Sequence, residues 1–468
     1  MKTTITLLFF ALCFSLTAQV THEWQQIGDD LIVTTTTDEY VALEFDQFGT
    51  AYYAYSNNSS NSSLNVYKMD GSWTQVGPSD ITTGAFIRNK AITFDTLGVP
   101  IVGITDGTGN LSVLKFNGGN WDTLGITGFA NTDGTNYRIS MTMDSVTNQP
   151  VVAYRDNTSN KLCVQSFDGN NWNYLNGGQD ISAGSASLID ITVNYANTKL
   201  VAYAEGAKAD TAVVLMTYTG ATLWDACDGN GTDSIASNSS VKNLEIDYSD
   251  GYAAIAYINA NNDSIYYNRL QGFPTWAEFT NPIGYADFYT DIAIKRSNHL
   301  TSETFPGAHF AFADAEEVYG VTVKKVRDGN FQTGGSNMAQ TLGNAGFDSN
   351  TPYDVALGID QHDSLYVAFG SPVVGIKVYK YRTISTTSQK QEKSMDFQVF
   401  PNPSNGMVDI KSSSKNTQLK VVDVSGKTHF TTTINGNTKI DLSNLNSGLY
   451  FMQITESDNV FTKRLIIQ

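Results

Sequence analysis

The sequence predicts an all-β protein, a seven-bladed β-propeller followed by a small β-sandwich, and three observations lead there. Composition is the first: 468 residues are 41% hydrophobic and 12% aromatic but only 16% charged, with 39 glycines. No long stretch rich in Ala, Glu, Lys and Leu is present, which favours short strands and turns over helices. Tryptophan spacing is the second. Trp24, Trp73, Trp121, Trp172, Trp224 and Trp276 follow one another at 49, 48, 51, 52 and 52 residues, and a further 55 lead to Phe331 behind an Asp-Gly-Asn turn. Seven register marks at a near-constant period indicate seven copies of one supersecondary unit. The third is that four strand-length, alternating segments recur between marks, as in KAITFD, VPIVGITD, LSVLKFNG and WDTLG. Alternation at period two marks strands whose two faces differ.

The first segment recurs as VALEFD, KAITFD, ISMTMD, IDITVN, KNLEID, TDIAIK and VALGID, and the second as AYYAYSN, PIVGITD, PVVAYRD, KLVAYAE, AAIAYIN, AHFAFAD and LYVAFGS. Four such strands per unit, seven times, make a propeller spanning residues 20–382. The chain ends agree with that count. The last repeat stops near Arg382 with three strands, and the chain opens with an unmatched fourth strand, HEWQQIG. The unmatched strand is expected to complete the last blade and close the ring, which removes open sheet edges. A series of β-sandwiches or a β-solenoid would repeat in the same way without needing a strand from the far end. One Trp at each strand start suits packing between blades; an aromatic platform for sugars is the other reading.

Residues 1–19 have a basic start, an apolar run (ITLLFFALCFSL) and small residues near Thr17 and Ala18, the pattern of a secretory signal peptide. Cys13 follows Leu12, which is not small, so ordinary cleavage is favoured over lipidation. The mature chain then keeps Cys163 and Cys227, at most one disulfide. It has no other run of eighteen apolar residues, so no transmembrane segment is expected. The formal charge of −17 disfavours nucleic acid and anionic membranes as partners. Residues 20–389 hold 19 basic and 39 acidic side chains, whereas 396–468 hold seven and six, so the acidity belongs to the propeller.

Residues 383–395 are polar and aperiodic, a linker. Beyond them, FQVFPNPSNGMVDI, LKVVDVSGK, IDLSNLNSGLYFMQI and VFTKRLIIQ alternate strand patterns with turn residues, enough for a small β-sandwich. Phe400-Pro401-Asn402-Pro403 with Gly406, Asp423 with Ser425-Gly426-Lys427, Leu442 with Gly448-Leu449-Tyr450, and the terminal Lys463-Arg464-Leu465-Ile466-Ile467 carry a resemblance. Residues 396–468 resemble the type A C-terminal sorting domain of the type IX secretion system of Bacteroidetes, with Phe400 where many members have Tyr. The resemblance implies passage to the periplasm, then transfer across the outer membrane by the type IX machinery. It also implies removal of the domain or its exchange for a surface anchor, with Pro401, Asn402, Pro403, Gly406, Gly426, Gly448, Tyr450 and Lys463 as the sorting motif. The expected location is secreted or on the outer-membrane surface.

In a four-stranded blade the loops after the second and fourth strands leave on one face, and here those loops are the long ones. At the end of the second segment six repeats carry a polar oxygen, Asn57, Asp106, Asp156, Glu205, Asn259 and Asp314, and Ser371 stands in the seventh. Such a ring suits Ca²⁺ or sugar hydroxyls, which both need oxygen partners; capping of loop amides is the competing use. Arg155 beside Asp156, and Tyr137-Arg138, add donors for an anion or sugar. Asp228-Gly229-Asn230-Gly231-Thr232-Asp233 opens like a Ca²⁺ loop but lacks Gly at the sixth place and has Ser239 where the bidentate Glu belongs. Asp-Ser/Thr-aliphatic triplets such as Asp95-Thr96-Leu97 and Asp144-Ser145-Val146 are similar to the O-glycosylation acceptor of Bacteroidetes, and also suit turns. The five histidines are scattered, with no HExxH, GxSxG or CxxC. Asp70-Gly71-Ser72-Trp73 matches only the core of the sialidase box. These observations favour a binding protein for carbohydrate or another extracellular polymer. The alternatives are a glycoside hydrolase or polysaccharide lyase with carboxylates at the channel mouth, and a structural adhesin.

Overall fold

In four repeats the aspartate that ends the first segment makes the turn into the second. Asp95 Oδ1 accepts the amides of Leu97 and Val99, both at 2.9 Å, while Gly98 takes a φ of +77°. Asp46 does the same for Phe48 and Thr50, Asp144 for Val146 and Thr147, and Asp360 for His362 and Ser364. A short carboxylate that replaces a backbone acceptor fixes where each strand stops and the next begins.

The structure is a computed structural model. It describes residues 19–468 except 33–41, 58–62, 80, 82–86, 133–137, 176, 195, 207–211, 219–223, 227–239, 250–251, 273–274, 279–281, 287–291, 297–306, 315–319, 328–338, 345–353, 363, 372–374, 387–397, 412–416, 424–426 and 457–458. The signal-peptide region, Phe331, Cys227 and the Asp228–Asp233 segment lie outside the described residues. Two compact units are present, His22–Thr383 and, with the N-terminal residues, Ile384–Gln468.

The first unit is seven antiparallel sheets in sequence order. Blade one is Ala42–Phe45, Ala51–Asn57, Ser63–Asp70 and Ser72–Gln75; blade three is Ser140–Asp144, Gln149–Arg155, Leu162–Phe167 and Trp172–Tyr174. Blades two, four, five and six begin at Ile87, Ala186, Val241 and Ile292. Blade seven takes Asp354–Ile359, Leu365–Ser371 and Gly375–Thr386 from the end of the propeller and Gln19–Gln26 from the start of the chain. Its third strand runs past the expected boundary at 382. In blade six the fourth strand is Ala339–Asn344, later than the Phe331 mark.

The closing strand is held on three sides. Ile27 donates its amide to Val378 O at 2.8 Å, Leu31 and Ile376 exchange both backbone bonds, and Tyr379 OH donates to Gln26 Oε1 at 2.9 Å. Trp24 packs on Tyr381 and joins the cluster holding Val321 and Val323 of blade six. Ile27 joins Phe45 and Met69 of blade one.

Core packing lies between blades. Val151 and Val164 of blade three meet Ile191 and Tyr203 of blade four; Ile265 and Tyr267 of blade five meet Phe310 and Phe312 of blade six. Each large side chain so buried contributes about 1.5–3 kcal/mol. The tryptophans fasten the outer rim. Trp121 Nε1 donates to Val76 O at 3.0 Å, Trp172 Nε1 to Leu124 O at 2.8 Å and Trp224 Nε1 to Leu175 O at 3.0 Å, each acceptor on the preceding blade three residues past that blade's own Trp. Packing, with a polar handle for the indole, is the role these positions serve.

The second unit pairs a three-stranded sheet (Gln398–Phe400, Met407–Lys411, Thr438–Asp441) with a four-stranded one (Thr417–Asp423, Thr428–Ile434, Gly448–Glu456, Asn459–Ile467). Val408, Ile410 and Ile440 face Leu419, Val421, Met452 and Leu465 across the sandwich. Asn402 stitches the Pro401–Pro403 turn to the last strand, donating to Arg464 O at 2.7 Å and accepting from Ile466 N at 2.9 Å. Gly406 has a φ of +101°, and a Cβ there would meet the Ser443 backbone at 2.5 Å. Tyr450 OH donates to Asn446 O at 3.0 Å. Lys463 is exposed, and Gly426 lies outside the described residues.

Trp73 Nε1 is buried with no hydrogen-bond partner among the described residues. Trp172→Phe therefore leaves Leu124 O unpaired and is expected to cost about 1–3 kcal/mol, while Trp73→Phe costs less. Thermal melts of both variants check the ranking, and equal losses would count against the rim hydrogen bonds.

Candidate functional site

The structure places Asn57, Asp106, Asp156, Glu205, Asn259, Asp314 and Ser371 at or next to the ends of the second strands of seven successive blades, on the long-loop face. Among those whose side chains are described, Asp106, Asp156 and Asn259 cap the loops that follow them, and Glu205 caps the loop that precedes its blade. Asp106 Oδ1 accepts the amides of Thr108 (2.8 Å) and Asn110 (3.0 Å), and its Oδ2 accepts Asn110 Nδ2 at 3.0 Å. Asp156 Oδ1 accepts the amides of Thr158 and Ser159 at 2.8 and 2.9 Å. Glu205 is 1% exposed; it accepts Gly184 N at 2.9 Å and the Tyr203 hydroxyl at 3.2 Å. Asn259 Oδ1 accepts Asn261 N at 2.9 Å. Arg155 is buried and donates to Asn160 Oδ1 at 2.5 Å. The side chains of Asn57, Asp314 and Ser371 lie outside the described residues.

These caps hold an array of amides and hydroxyls across blades two and three. Asn131 Nδ2 donates to Thr108 O at 3.4 Å, and Asn157 Nδ2 donates to Asn131 Oδ1 at 2.9 Å. Thr132 N donates to Gly109 O at 2.7 Å and Asn157 N to Asn131 O at 3.1 Å, which ties the loop of blade two to the turn of blade three. Thr108, Asn131, Asn157 and Thr158 are exposed. Cys163 lies beneath, its thiol pushed up to about 12 by burial, in contact with Asp180. Among the described residues no three His, Cys, Asp or Glu side chains form a group that could hold a metal ion.

A second polar region, the channel on the ring axis, was not read from the sequence. It is a cavity of about 460 Å³ lined by the first strands of all seven blades. Ser140, Asp190 and Glu245 stand at one register level of blades three, four and five, opposite Ala153, Ala202 and Ala256. Each accepts an amide from the next blade: Ile191 N to Ser140 Oγ at 3.2 Å, Ile246 N to Asp190 Oδ2 at 2.8 Å, Ile294 N to Glu245 Oε2 at 3.2 Å. Ser140 Oγ also donates to Asp190 Oδ1 at 2.6 Å. Burial pushes the Asp190 carboxyl up, against the pull of these bonds. Two residues deeper, Lys295 Nζ meets Glu44 Oε1 at 3.1 Å. Burial opposes its charge, but Glu44, Asp247 and Glu245 outweigh that and hold it above its usual range. The available signal was charge where sister repeats have Ala or Thr, as VALEFD, IDITVN, KNLEID and TDIAIK show.

The first unit is thus a seven-bladed β-propeller, and the second is a small β-sandwich. Residues 398–468 match the family described as the secretion system C-terminal sorting domain. The chain thus carries a type IX sorting domain and is a secreted or cell-surface protein. No curated protein sequence matches it. Among solved structures, a Dyadobacter fermentans protein of unknown function is similar at 10% identity and a TM-score of 0.43, over 77% of this chain and 99% of that one. A lectin of Aleuria aurantia, solved with Fucα1-6GlcNAc, is similar at 14% and 0.42, over 63% and 94%. PorZ, a surface component of the type IX system of Porphyromonas gingivalis, is similar at 13% and 0.39, over 91% and 59%.

Asp95, Asp106, Asp144 and Asp360 are all held below the usual carboxylate range: burial resists, but hydrogen bonds outweigh it, with Lys115 aiding Asp95 and Lys199 aiding Asp144. A depressed carboxyl lends stability above its unfolded pKa, about 4, and loses it as pH falls below that value. Asp144→Asn should lower the melting temperature at pH 7 and make its decline between about pH 4 and 2 shallower. Melts across that range check both; an unchanged slope would deny the Asp144–Lys199 pair its role.

Proposed function

We propose that the propeller binds extracellular carbohydrate, with the long-loop face of blades two and three as a contact surface. The observation that carries the reading is the exposed amide and hydroxyl array from Thr108 through Asn131 to Asn157 and Thr158, fixed by the Asp106 and Asp156 caps. Sugars present alternating donors and acceptors, and a rigid array of both matches them with little ordering cost on binding. The sorting domain supports the reading because it puts this face outside the cell. Passage through the periplasm and handling by the type IX machinery belong to the same proposal.

Use of the second-strand oxygens as caps makes their role at the site one of positioning. A hydrolase or lyase would have to use the channel carboxylates, of which Asp190 and Glu245 already serve backbone amides and Glu44 is paired with Lys295.

The test is a glycan array probed with the full secreted chain, with Ca²⁺ and with chelator, and product analysis of every bound glycan. Binding without cleavage is expected. Asn131→Ala with Asn157→Ala should weaken it about tenfold, roughly the loss of one or two hydrogen bonds, without a large change in melting temperature. A blank array would end the carbohydrate reading, and cleavage would replace it with the enzymatic one.

A further inference from the structure

The N-terminal strand closes the ring at the outer edge of blade seven, and one side-chain contact spans the same blade at the axis. Lys295 Nζ of blade six meets Glu44 Oε1 of blade one at 3.1 Å. These blades are not neighbours, because the first strand of blade seven packs between theirs. Lys295, Gly358 and Glu44 hold one register level of blades six, seven and one, opposite His309, Tyr366 and Tyr52. The middle position therefore has no side chain to separate the two charges. Seating of blade seven needs glycine there as well, since a Cβ on Gly358 would lie 2.4–2.9 Å from the Phe45 side chain. The other carboxylates that act on Lys295, Asp247 and Glu245, belong to blade five, so Glu44 alone draws it across blade seven.

Two apolar clusters connect this axial contact with the closing strand. On the side of blade six, Trp24 shares a cluster with Leu357 and Val367 of blade seven and with Ala293, two residues before Lys295. On the side of blade one, Ile27 shares a cluster with Tyr366 and Val378 of blade seven and with Phe45, the residue after Glu44. Protein interiors are close-packed, so a displacement of the closing strand is passed through blade seven to both inner strands. Lys295 and Glu44 are 34% and 32% exposed in the channel, and a pair so solvated adds only modestly to stability wherever it stands. What distinguishes it is its span: it joins directly two blades whose other connection at this point runs through blade seven.

We propose that Lys295 and Glu44 form an axial clasp, a second closure of the ring that acts together with the N-terminal strand to keep blade seven seated. Opening of the ring then requires two contacts to part, the strand at the rim and the ion pair at the axis. The clasp restrains the rim of blade seven although its own residues lie on innermost strands and the N-terminal strand is the outermost.

The experiment is native-state hydrogen exchange of the full secreted chain, read at the Leu31 and Ile376 amides, which bond each other's carbonyls across the closing ladder. Glu44→Gln, which is nearly isosteric, and Lys295→Met should each speed exchange at both amides about fivefold, the upper range for a solvated ion pair. The double variant should exchange no faster than either single one, because the same contact is lost in all three. The Val164 amide of blade three, bonded to Gly178 O at 2.6 Å, is the reference and should keep its rate. Glu44→Gln carries the test alone if Lys295→Met does not fold. Unchanged rates at Leu31 and Ile376 would overturn the proposal by making the pair a purely local contact. Additive effects in the double variant, or equal acceleration at Val164 from a general loss of stability, would overturn it too.

Discussion

Every feature of the propeller depends on one non-local pairing, that of the N-terminal strand with Gly375–Thr386. Six blades are complete within their own stretch of chain, but the seventh has only three strands until Gln19–Gln26 arrives from the other end. An open ring would expose the edge of Gly375–Thr386 and strip Val321, Val323, Phe45 and Met69 of neighbours in the adjoining blades. Closure is also what creates a channel, because the first strands converge on an axis only when the circle is complete.

Two networks then act at different radii. At the rim, Trp121, Trp172 and Trp224 each join apolar packing to one directed hydrogen bond, so the blades they link cannot slide past each other without breaking it. At the axis, the inner edge of each sheet has amides that no further strand can pair. Ser140, Asp190 and Glu245 satisfy three of them from the blade before, using side chains where a sheet would use backbone. Ala42, Ala91, Ala293 and Ala356 hold the equivalent positions of blades one, two, six and seven and carry no side-chain oxygen, so the polar contacts at this level are confined to one arc of the ring.

Loops on the long-loop face obey the same economy of polar groups. The aspartates at the second-strand ends bind their own turns first, so the groups left facing solvent are the amides and hydroxyls those turns hold in place. A lowered carboxyl pKa at Asp106 is the electrostatic trace of that arrangement. The site is thus built in two layers, with acids beneath and neutral donors and acceptors above.

Repeat number, strand order and the borrowed strand were legible in the sequence because each repeat buries the same side chains at the same spacing. The six tryptophans, the Ala-aromatic second segments and the three-strand last repeat specify local pairings whose only consistent sum is a closed ring. The sorting domain was legible for a related reason: Pro401, Asn402, Gly406 and Tyr450 each meet a local backbone need that few other residues meet. The second-strand polar residues were legible as a ring but not as caps, since a carboxylate's partner is decided by the loop that folds back on it. The lining of the channel was beyond the sequence. Glu44, Asp190, Asp247 and Lys295 lie far apart along the chain. Only closure of the ring brings those positions to one axis, where side chains of different blades come within hydrogen-bonding and ion-pairing reach of one another.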